Sequence, residues 1–313
     1  MTATAKAPRH GPGPAAVPAG DHGQTTEQGQ TGDLAQLRGT LRQLGAVVVA
    51  FSGGADSSLV AWLATEVLGP QRALVVTAVS ASLAPAELDD CRALAAEWGL
   101  NYLEVQSLET RRPAYVANGA DRCWHCKDEL MRCLAPLTTS LTCGSPAAPG
   151  KASIVLGVNV DDLGDYRPGQ AAAERAGARF PLVEAGFTKA DVRRVSRLLG
   201  LRTWDKPAAA CLASRIPYGT PVSLGVLSAV ARAEAALGCL GFKALRVRHY
   251  GELARVELPL GDLERAVACR EQVVHAVRAA GYRYVTLDLE GLRSGNLNGV
   301  LGSTREVDQE VAR

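Results

Sequence analysis

A short apolar run that ends in a glycine turn constrains this chain more than any other feature of its sequence. Residues 47–51 are apolar, residues 52–58 read Ser-Gly-Gly-Ala-Asp-Ser-Ser, and apolar residues with helical spacing follow from Leu59. This order predicts a buried strand, a tight turn and then a helix. The free N–H groups and the dipole at the start of a helix favour an anion, so the turn is a candidate phosphate site.

The residue types of this turn fit a phosphate ligand. Two glycines let the backbone approach an anion closely, and three serine hydroxyls can donate hydrogen bonds. A carboxylate beside phosphates needs a cation between them, which makes Asp56 a candidate Mg²⁺ ligand. The alternative is an ordinary turn capped by Asp56 or Ser57; a kinase-type phosphate loop is excluded because no lysine follows the glycines. The candidate ligands are Ser52, Gly53, Gly54, Asp56, Ser57 and Ser58.

Composition argues against several classes of protein. The 313 residues are 47% hydrophobic and 21% charged, which is typical of a globular protein long enough for two domains. No run of about 18 apolar residues is present, so we expect no membrane span. A net charge of +2 offers no large basic surface, and we expect no nucleic-acid partner.

The N-terminal segment and the cysteines indicate the compartment. Residues 1–32 are rich in Gly, Pro, Ala, Thr and Gln, lack apolar periodicity and contain no signal-peptide core, so we expect a disordered leader. Eight cysteines in 313 residues are too sparse for a disulfide scaffold. We therefore expect reduced thiols or metal ligands in a cytoplasmic protein.

Strand and helix patterns alternate from residue 33 to residue 205. The expected strands cover 47–51, 73–79, 102–105 and 154–158, and the expected helices cover 34–44, 84–98 and 189–199, the last capped by Thr188. Short apolar strands separated by helices predict an α/β fold with a doubly wound parallel sheet. Ligands of such sheets bind at the carboxyl ends of the strands.

The pattern changes after Pro207. Helices are expected over 224–237 and 263–280, and short strands over 245–247, 254–258 and 284–289. These elements predict a smaller C-terminal α+β domain with an antiparallel sheet, over residues 206–300, for substrate binding or oligomerisation. Residues 301–313 carry no pattern and form an expected frayed tail.

Three cysteines stand out by their neighbours. Cys123 and Cys126 form a Cys-x-x-Cys pair that fits a redox pair, half of a zinc site or half of an iron–sulfur site. Cys211 lies in Lys-Pro-Ala-Ala-Ala-Cys-Leu-Ala-Ser-Arg, where Arg215 favours the thiolate, which is both the nucleophilic and the metal-binding form. For the other five cysteines, Cys143 in a loop included, the expected role is that of a small hydrophobe.

Together these motifs resemble the LarE family, ATP-dependent sulfur transferases of the ATP pyrophosphatase (PP-loop) superfamily that build the nickel-pincer nucleotide cofactor. The matching segments follow in family order over about residues 33–290, and they are residues 52–58, 122–127, 157–169, 181–189 and 203–219. The resemblance implies an adenine nucleotide alpha hydrolase-like fold, with ATP bound at the glycine turn.

The resemblance also implies a reaction. The family adenylates a carboxylate of pyridinium-3,5-biscarboxylic acid mononucleotide, releases pyrophosphate and replaces the activated oxygen with sulfur. In some members one cysteine, here Cys211, gives up its sulfur and becomes dehydroalanine. In others three cysteines hold a 4Fe-4S cluster that delivers sulfide; Cys123, Cys126 and Cys211 match that pattern, which we favour. The family further implies a homo-oligomer.

The charge of this small-molecule substrate suggests the remaining site residues. Arg246 and Arg248 are two residues apart on a predicted strand, so their side chains point to the same face. Guanidinium groups there suit phosphate and carboxylate; the alternative is that this strand face is simply solvated. Within the cysteine motif, Ser214 and Arg215 are expected to bind substrate. The expected catalytic residues are Cys211, Asp56 and Arg215. Besides Asp56, the candidate Mg²⁺ ligands are Asp161, Asp162 and Glu234, each of which could cap a helix or form an ion pair instead.

Other functions are distinguishable alternatives. A PP-loop tRNA thiolase would also use ATP and cysteines, but it needs a basic surface for RNA. An ammonia-using ligase such as NAD or GMP synthetase has no need of three cysteines. A non-catalytic nucleotide-binding or metal-storage module would have no need of the complete Ser-Gly-Gly-x-Asp-Ser turn.

Overall fold

A parallel sheet of four short strands forms the centre of the first part of the computed structural model, which describes residues 32–141, 150–164, 168–207 and 210–293. The strands are β1 (Val47–Ala50), β2 (Ala73–Val79), β3 (Asn101–Gln106) and β4 (Ser153–Leu156). Their order in the sheet is β3–β2–β1–β4, and all neighbours are parallel. The expected α/β fold is confirmed, and each strand lies close to its predicted position.

Helices precede, connect and follow these strands. They are α1 (Leu34–Leu44), α2 (Ala55–Leu68), α3 (Pro85–Glu97), α4 (Pro113–Val116), α5 (Arg122–Leu134), α6 (Leu137–Ser140), α7 (Pro168–Arg175), α8 (Pro181–Glu184) and α9 (Lys189–Leu198). Short 3-10 helices cover Glu109–Arg111, Val160–Gly164 and Leu212–Arg215. The predicted cap Thr188 is confirmed: its side chain and that of Asp191 satisfy each other's backbone N–H groups at the start of α9.

Apolar packing covers both faces of the sheet. Helices α1, α2 and α9 share one buried core with Val47 and Val49. Helices α5 and α7 share another with Val48 and Ile154. Successive residues of β1 thus point to opposite, equally buried faces, which explains why its sequence is apolar throughout.

A second, smaller sheet follows residue 210. It contains β5 (Arg246–Tyr250), β6 (Leu253–Glu257) and β7 (Tyr284–Leu287), packed with α10 (Leu224–Cys239), α11 (Leu260–Ala268) and α12 (Arg270–Ala279). The prediction of an antiparallel sheet is only half right, since β5 and β6 are antiparallel but β6 and β7 are parallel. The long helical connection through α11 and α12 returns the chain in the same direction, as a parallel pair requires.

The expected single helix over 263–280 is wrong, because the chain forms two helices that meet at Cys269. No glycine or proline lies between them, so the sequence contains no breaker that predicts the interruption. The Cys269 backbone leaves helical geometry with φ −105° and ψ 30°, and α12 packs along α10. Tertiary packing therefore determines the bend.

The two halves of the chain share buried residues. Tyr115 from α4 belongs to the core of the second part, together with Leu212 and Val247, and the described residues fall within a single compact unit, 31–313. The domain boundary between residues 205 and 206 stays a prediction. The leader up to residue 31, Cys143 and the tail 301–313 lie outside the described residues. No described helix has the length and apolar character to cross a membrane.

A buried ion pair stabilises the small sheet and yields a stability prediction. Arg248 and Glu257 are 3% and 0% exposed, and their side chains lie 2.9 Å apart. Replacing Glu257→Gln should lower the free energy of unfolding by about 3–5 kcal/mol, because it leaves the Arg248 charge buried without its partner. The exposed pair Arg283–Glu252 is the control, and Arg283→Gln should lower the free energy of unfolding by at most about 1 kcal/mol. Denaturant midpoints measure both; equal midpoints for the two variants would contradict a stabilising role.

Candidate functional site

The glycine turn between β1 and α2 is held in shape by its own side chains. Ser57 Oγ donates to Gly54 O at 3.2 Å and accepts from the Ser52 N–H at 3.2 Å. Gly53 has φ +68°, and a Cβ at that position would lie 3.0 Å from Cys91 Sγ of α3. Only glycine suits both the backbone and the space. Contacts within the turn and with α3 therefore define its shape.

The three serines of the turn differ in exposure. Ser52 is exposed, whereas Ser57 is 6% exposed and Ser58 is fully buried. The Ser58 hydroxyl has no hydrogen-bond partner among the described residues. Of the three hydroxyls proposed to face phosphate, the Ser52 hydroxyl is thus the accessible one, while Ser57 shapes the turn.

Asp56 is held by two residues that sequence analysis did not select. Its carboxylate accepts from Asn159 Nδ2 at 3.1 Å and from Lys189 Nζ at 2.5 Å. Asn159 follows β4, the neighbour of β1, and the position of a polar residue at this sheet edge is the signal that could have identified it. Lys189 is the first residue of α9. Asp56 therefore carries a cationic partner beside the turn.

The predicted Mg²⁺ ligands occupy two different places. Asp161 accepts from the Lys189 N–H at 2.8 Å, and Asp162 accepts from the Asn159 N–H at 3.2 Å. Both carboxylates thus arrange the segments that hold Asp56. Glu234 of α10 pairs with Arg215 instead. Across the described ranges, no three His, Cys, Asp or Glu side chains converge on one metal position, and Mg²⁺ binding stays a prediction.

The predicted substrate residues come together around Ser214. Arg215 donates to Ser214 Oγ at 3.0 Å and pairs with Glu234 at 2.8 Å, and Arg248 donates to the Ser214 carbonyl at 2.7 Å. The half-buried Arg246 has no carboxylate partner in the described part of the chain and donates to a backbone carbonyl. Burial and the charges of Arg248 and Arg215 hold the pKa of Arg246 below its usual range. An anion at Arg246 would relieve this repulsion.

Three thiols lie in one neighbourhood. Cys123 and Cys126 are on the first turns of α5, and Cys211 directly precedes the 3-10 helix Leu212–Arg215. Cys123 and Cys211 are exposed and Cys126 is partly exposed, all as free thiols. Burial raises the pKa of Cys126 to about 12, and negative charge on Cys211 and Cys123 contributes to the rise. The three thiols therefore interact electrostatically.

A buried cation accompanies these thiols. Arg122 is 5% exposed and donates to Asn118 Oδ1 at 2.6 Å and to the Ala213 carbonyl at 2.8 Å. Burial alone would lower the pKa of Arg122, but Cys211 and Cys123 raise it above its ordinary value. None of its partners in the described residues is a carboxylate. The groups that raise the pKa of Arg122 are the thiols and the Tyr218 hydroxyl, and the guanidinium also lies over the Tyr218 ring.

This site fits an iron–sulfur cluster in its donor chemistry. Three thiolates are soft ligands of the kind that bind iron–sulfur clusters, and Arg122 offers a charge that opposes theirs. Tyr115 is 1% exposed, and burial together with the charges of Cys211 and Cys126 raises the pKa of its hydroxyl, which therefore stays protonated. The Ser82 side chain is a hydrogen-bonding neighbour of the same hydroxyl.

The thiol site and the glycine turn lie at the same edge of the main sheet. The turn follows β1, and the Ser80–Ser82 segment follows the adjacent β2. The Ser82 carbonyl accepts from the Leu212 N–H at 2.8 Å, which ties the residue after Cys211 to this edge. Residues 165–167 of the 157–169 motif lie outside the described residues.

Comparison with known proteins agrees with this geometry. A family model described as NAD synthase matches residues 35–120. The chain is 45% identical over 270 residues to the uncharacterized protein slr1717 of Synechocystis sp., covering 86% of this chain and 97% of that one. It is 25% identical over 248 residues to the uncharacterized protein MJ0830 of Methanocaldococcus jannaschii, with 79% and 91% covered.

A third relative carries a functional name. The chain is 37% identical over 267 residues to the pyridinium-3,5-bisthiocarboxylic acid mononucleotide synthase of Lactiplantibacillus plantarum, covering 85% of this chain and 94% of that enzyme. Identity at this level over nearly the whole length of both proteins exceeds what a shared fold alone would give. The chain therefore belongs to the LarE family, the PP-loop family of that synthase.

Proposed function

We propose that the protein is an ATP-dependent sulfurtransferase that converts the carboxylates of pyridinium-3,5-biscarboxylic acid mononucleotide to thiocarboxylates. The observation that carries this proposal is the joining of a phosphate-type turn and a three-thiol site at one sheet edge, through the Ser82–Leu212 hydrogen bond. Adenylation and sulfur transfer need the same carbonyl carbon within reach of both sites. The name of the L. plantarum relative supports this substrate.

In the first step a substrate carboxylate oxygen attacks the α-phosphorus of ATP, and the bond to the β-phosphate oxygen breaks. Pyrophosphate leaves, and the carboxylate becomes an acyl adenylate. The N–H groups at the start of α2 and the Ser52 hydroxyl would hold the departing phosphates. Asp56, with Lys189 beside it, would hold Mg²⁺ against the same phosphates.

The arginine cluster would hold the anionic nucleotide. Arg215 and Arg248 are already paired with Glu234 and Glu257, so Arg246 carries the charge available to a phosphate. Ser214 and Arg215, which lie three and four residues after Cys211, would orient the bound carboxylate toward the thiol site. Positioning of this kind is a major source of rate enhancement.

In the second step sulfur replaces the adenylate: a C–S bond forms, the C–O bond to AMP breaks, and AMP leaves with the electron pair. Cys123, Cys126 and Cys211 would hold a 4Fe-4S cluster, which when bound supplies the sulfide. Arg122 and the Tyr115 hydroxyl would hold anionic sulfur in place, and their burial would keep water from the activated carboxyl. The alternative is that Cys211 gives up its own sulfur. We further expect a cytoplasmic homo-oligomer.

The first prediction concerns the glycine turn. Asp56→Asn should lower ATP-dependent pyrophosphate release about 100-fold or more, because the variant keeps the shape of the turn but loses the charge that binds a cation. Ser52→Ala should also lower pyrophosphate release. Glu66→Gln, on the exposed side of α2, is the control and should release pyrophosphate at the normal rate. A well-folded Asp56→Asn protein with normal release would refute this role for the turn.

A second prediction separates substrate from ATP. Arg246→Gln should raise the KM for the nucleotide substrate about tenfold or more, since a charge-assisted hydrogen bond to phosphate is lost, while the KM for ATP changes little. The exposed Arg283→Gln of the same part of the chain serves as the control. Equal changes in both KM values of the Arg246 variant would contradict the assignment.

A third prediction concerns the sulfur source. Cys123→Ser, Cys126→Ser and Cys211→Ser should each lose iron and sulfur transfer together, because a cluster with a missing ligand dissociates, while pyrophosphate release continues. Cys133→Ser, on the same helix α5, is the matched control and should keep iron. Anaerobic spectra with iron and sulfide analysis give the result. Wild-type protein without iron, in which turnover converts Cys211 to dehydroalanine, would show that the sacrificial mechanism operates instead.

A further inference from the structure

Lys206 brings a positive charge to the glycine turn from a distant part of the chain. Its Nζ lies 3.6 Å from the position that a Cβ on Gly53 would occupy. Residues 52–58 contain no lysine or arginine of their own. A triphosphate bound there would be a concentrated negative charge. Lys206 pairs with Glu87, whereas the other lysine beside the turn, Lys189, pairs with Asp56.

Two carboxylates of α3 hold the Lys206 side chain. Its Nζ is 2.8 Å from Glu87 and 2.6 Å from Asp90, and the side chain is 18% exposed. Burial alone would lower the pKa of Lys206, but the hydrogen bonds from Asp90 and Glu87 raise it above its ordinary value, so the group is an ammonium. Nearby Cys91 stays neutral, because burial raises the pKa of its thiol to about 11. Its sulfur therefore adds no negative charge beside the turn.

We propose that Lys206 is a phosphate-binding residue of the glycine turn, and that its ammonium exchanges Glu87 for a phosphate oxygen when ATP binds. This inference rests on the proposed function, because it requires ATP at the turn. Asp90 keeps Arg202 at 2.7 Å as a partner after the exchange. Glu87 has only Lys206 as a partner among the described residues and is 28% exposed, so water can solvate it. The exchange thus leaves no buried charge unpaired.

The test is the affinity for α,β-methylene-ATP with Mg²⁺, measured by titration calorimetry on the full chain. Lys206→Met should weaken binding about tenfold or more, and Lys206→Arg should restore part of it. Arg92→Met is the control: it removes a cation of the same helix α3 that pairs with Asp89 and Glu104 instead of Glu87 and Asp90, so the affinity of this variant should stay within about twofold of wild type.

A variant of opposite sign distinguishes exchange from simple structural support. Glu87→Gln should tighten binding about threefold, because it removes a carboxylate that competes with phosphate, and it should have no effect in the Lys206→Met background. Glu87→Gln that weakens binding, or a Lys206→Met protein that binds like Arg92→Met, would overturn the proposal while leaving ATP binding intact. Wild-type protein that does not bind the nucleotide would overturn both this inference and the proposed function.

Discussion

The close approach of two backbone segments at the edge of the main sheet determines most of what this protein can do. A Cβ on Gly157, directly after β4, would lie 2.5 Å from the Ser57 backbone nitrogen at the start of α2. Only a glycine allows β4 and the first turn of α2 to pack this closely. Two residues after Gly157, Asn159 donates a hydrogen bond to Asp56, and Lys189 pairs with the same carboxylate. The helix start, its acidic residue and that residue's partners are therefore packed against one another.

Three buried or partly buried cations lie around the candidate site. Lys206, Arg122 and Arg246 are each at least partly buried, and each stands near a place where a negative group is expected: phosphate, sulfur or the nucleotide. Arg122 and Arg246 have no carboxylate partner in the described residues, whereas Lys206 has two. Buried charges of this kind are costly unless paired. Binding of the proposed anionic ligands would reduce this cost.

Local patterns in the sequence predicted the parts of this structure that depend on neighbouring residues. The run into Ser52, the strands of the main sheet and the Thr188 cap follow from apolar spacing and capping chemistry. The helix break at Cys269 has no local cause, and the parallel pairing of β6 with β7 depends on how α11 and α12 pack. Local pattern cannot supply such information.

The candidate site, too, was predictable from the sequence only in part. The serines, cysteines and arginines were recognisable by type and motif, but their surroundings were not. Arg246 and Arg248 share a strand, yet Arg248 is 3% exposed against Glu257 while Arg246 keeps its charge unpaired in the described structure. Lys206 and Asn159 act on the turn from about 150 and 100 residues away along the chain, and only the fold brings them there.

The place of Tyr115 in the second core has a consequence for how this chain acquires its structure. Tyr115 comes from the first half of the sequence, but its neighbours Leu212 and Val247 come from the second. The first half cannot bury this aromatic ring until the second half has been synthesised, and the second half lacks part of its interior without it. The two halves are thus expected to fold as a single cooperative unit, so that the thiol site between them forms late and only in the complete chain.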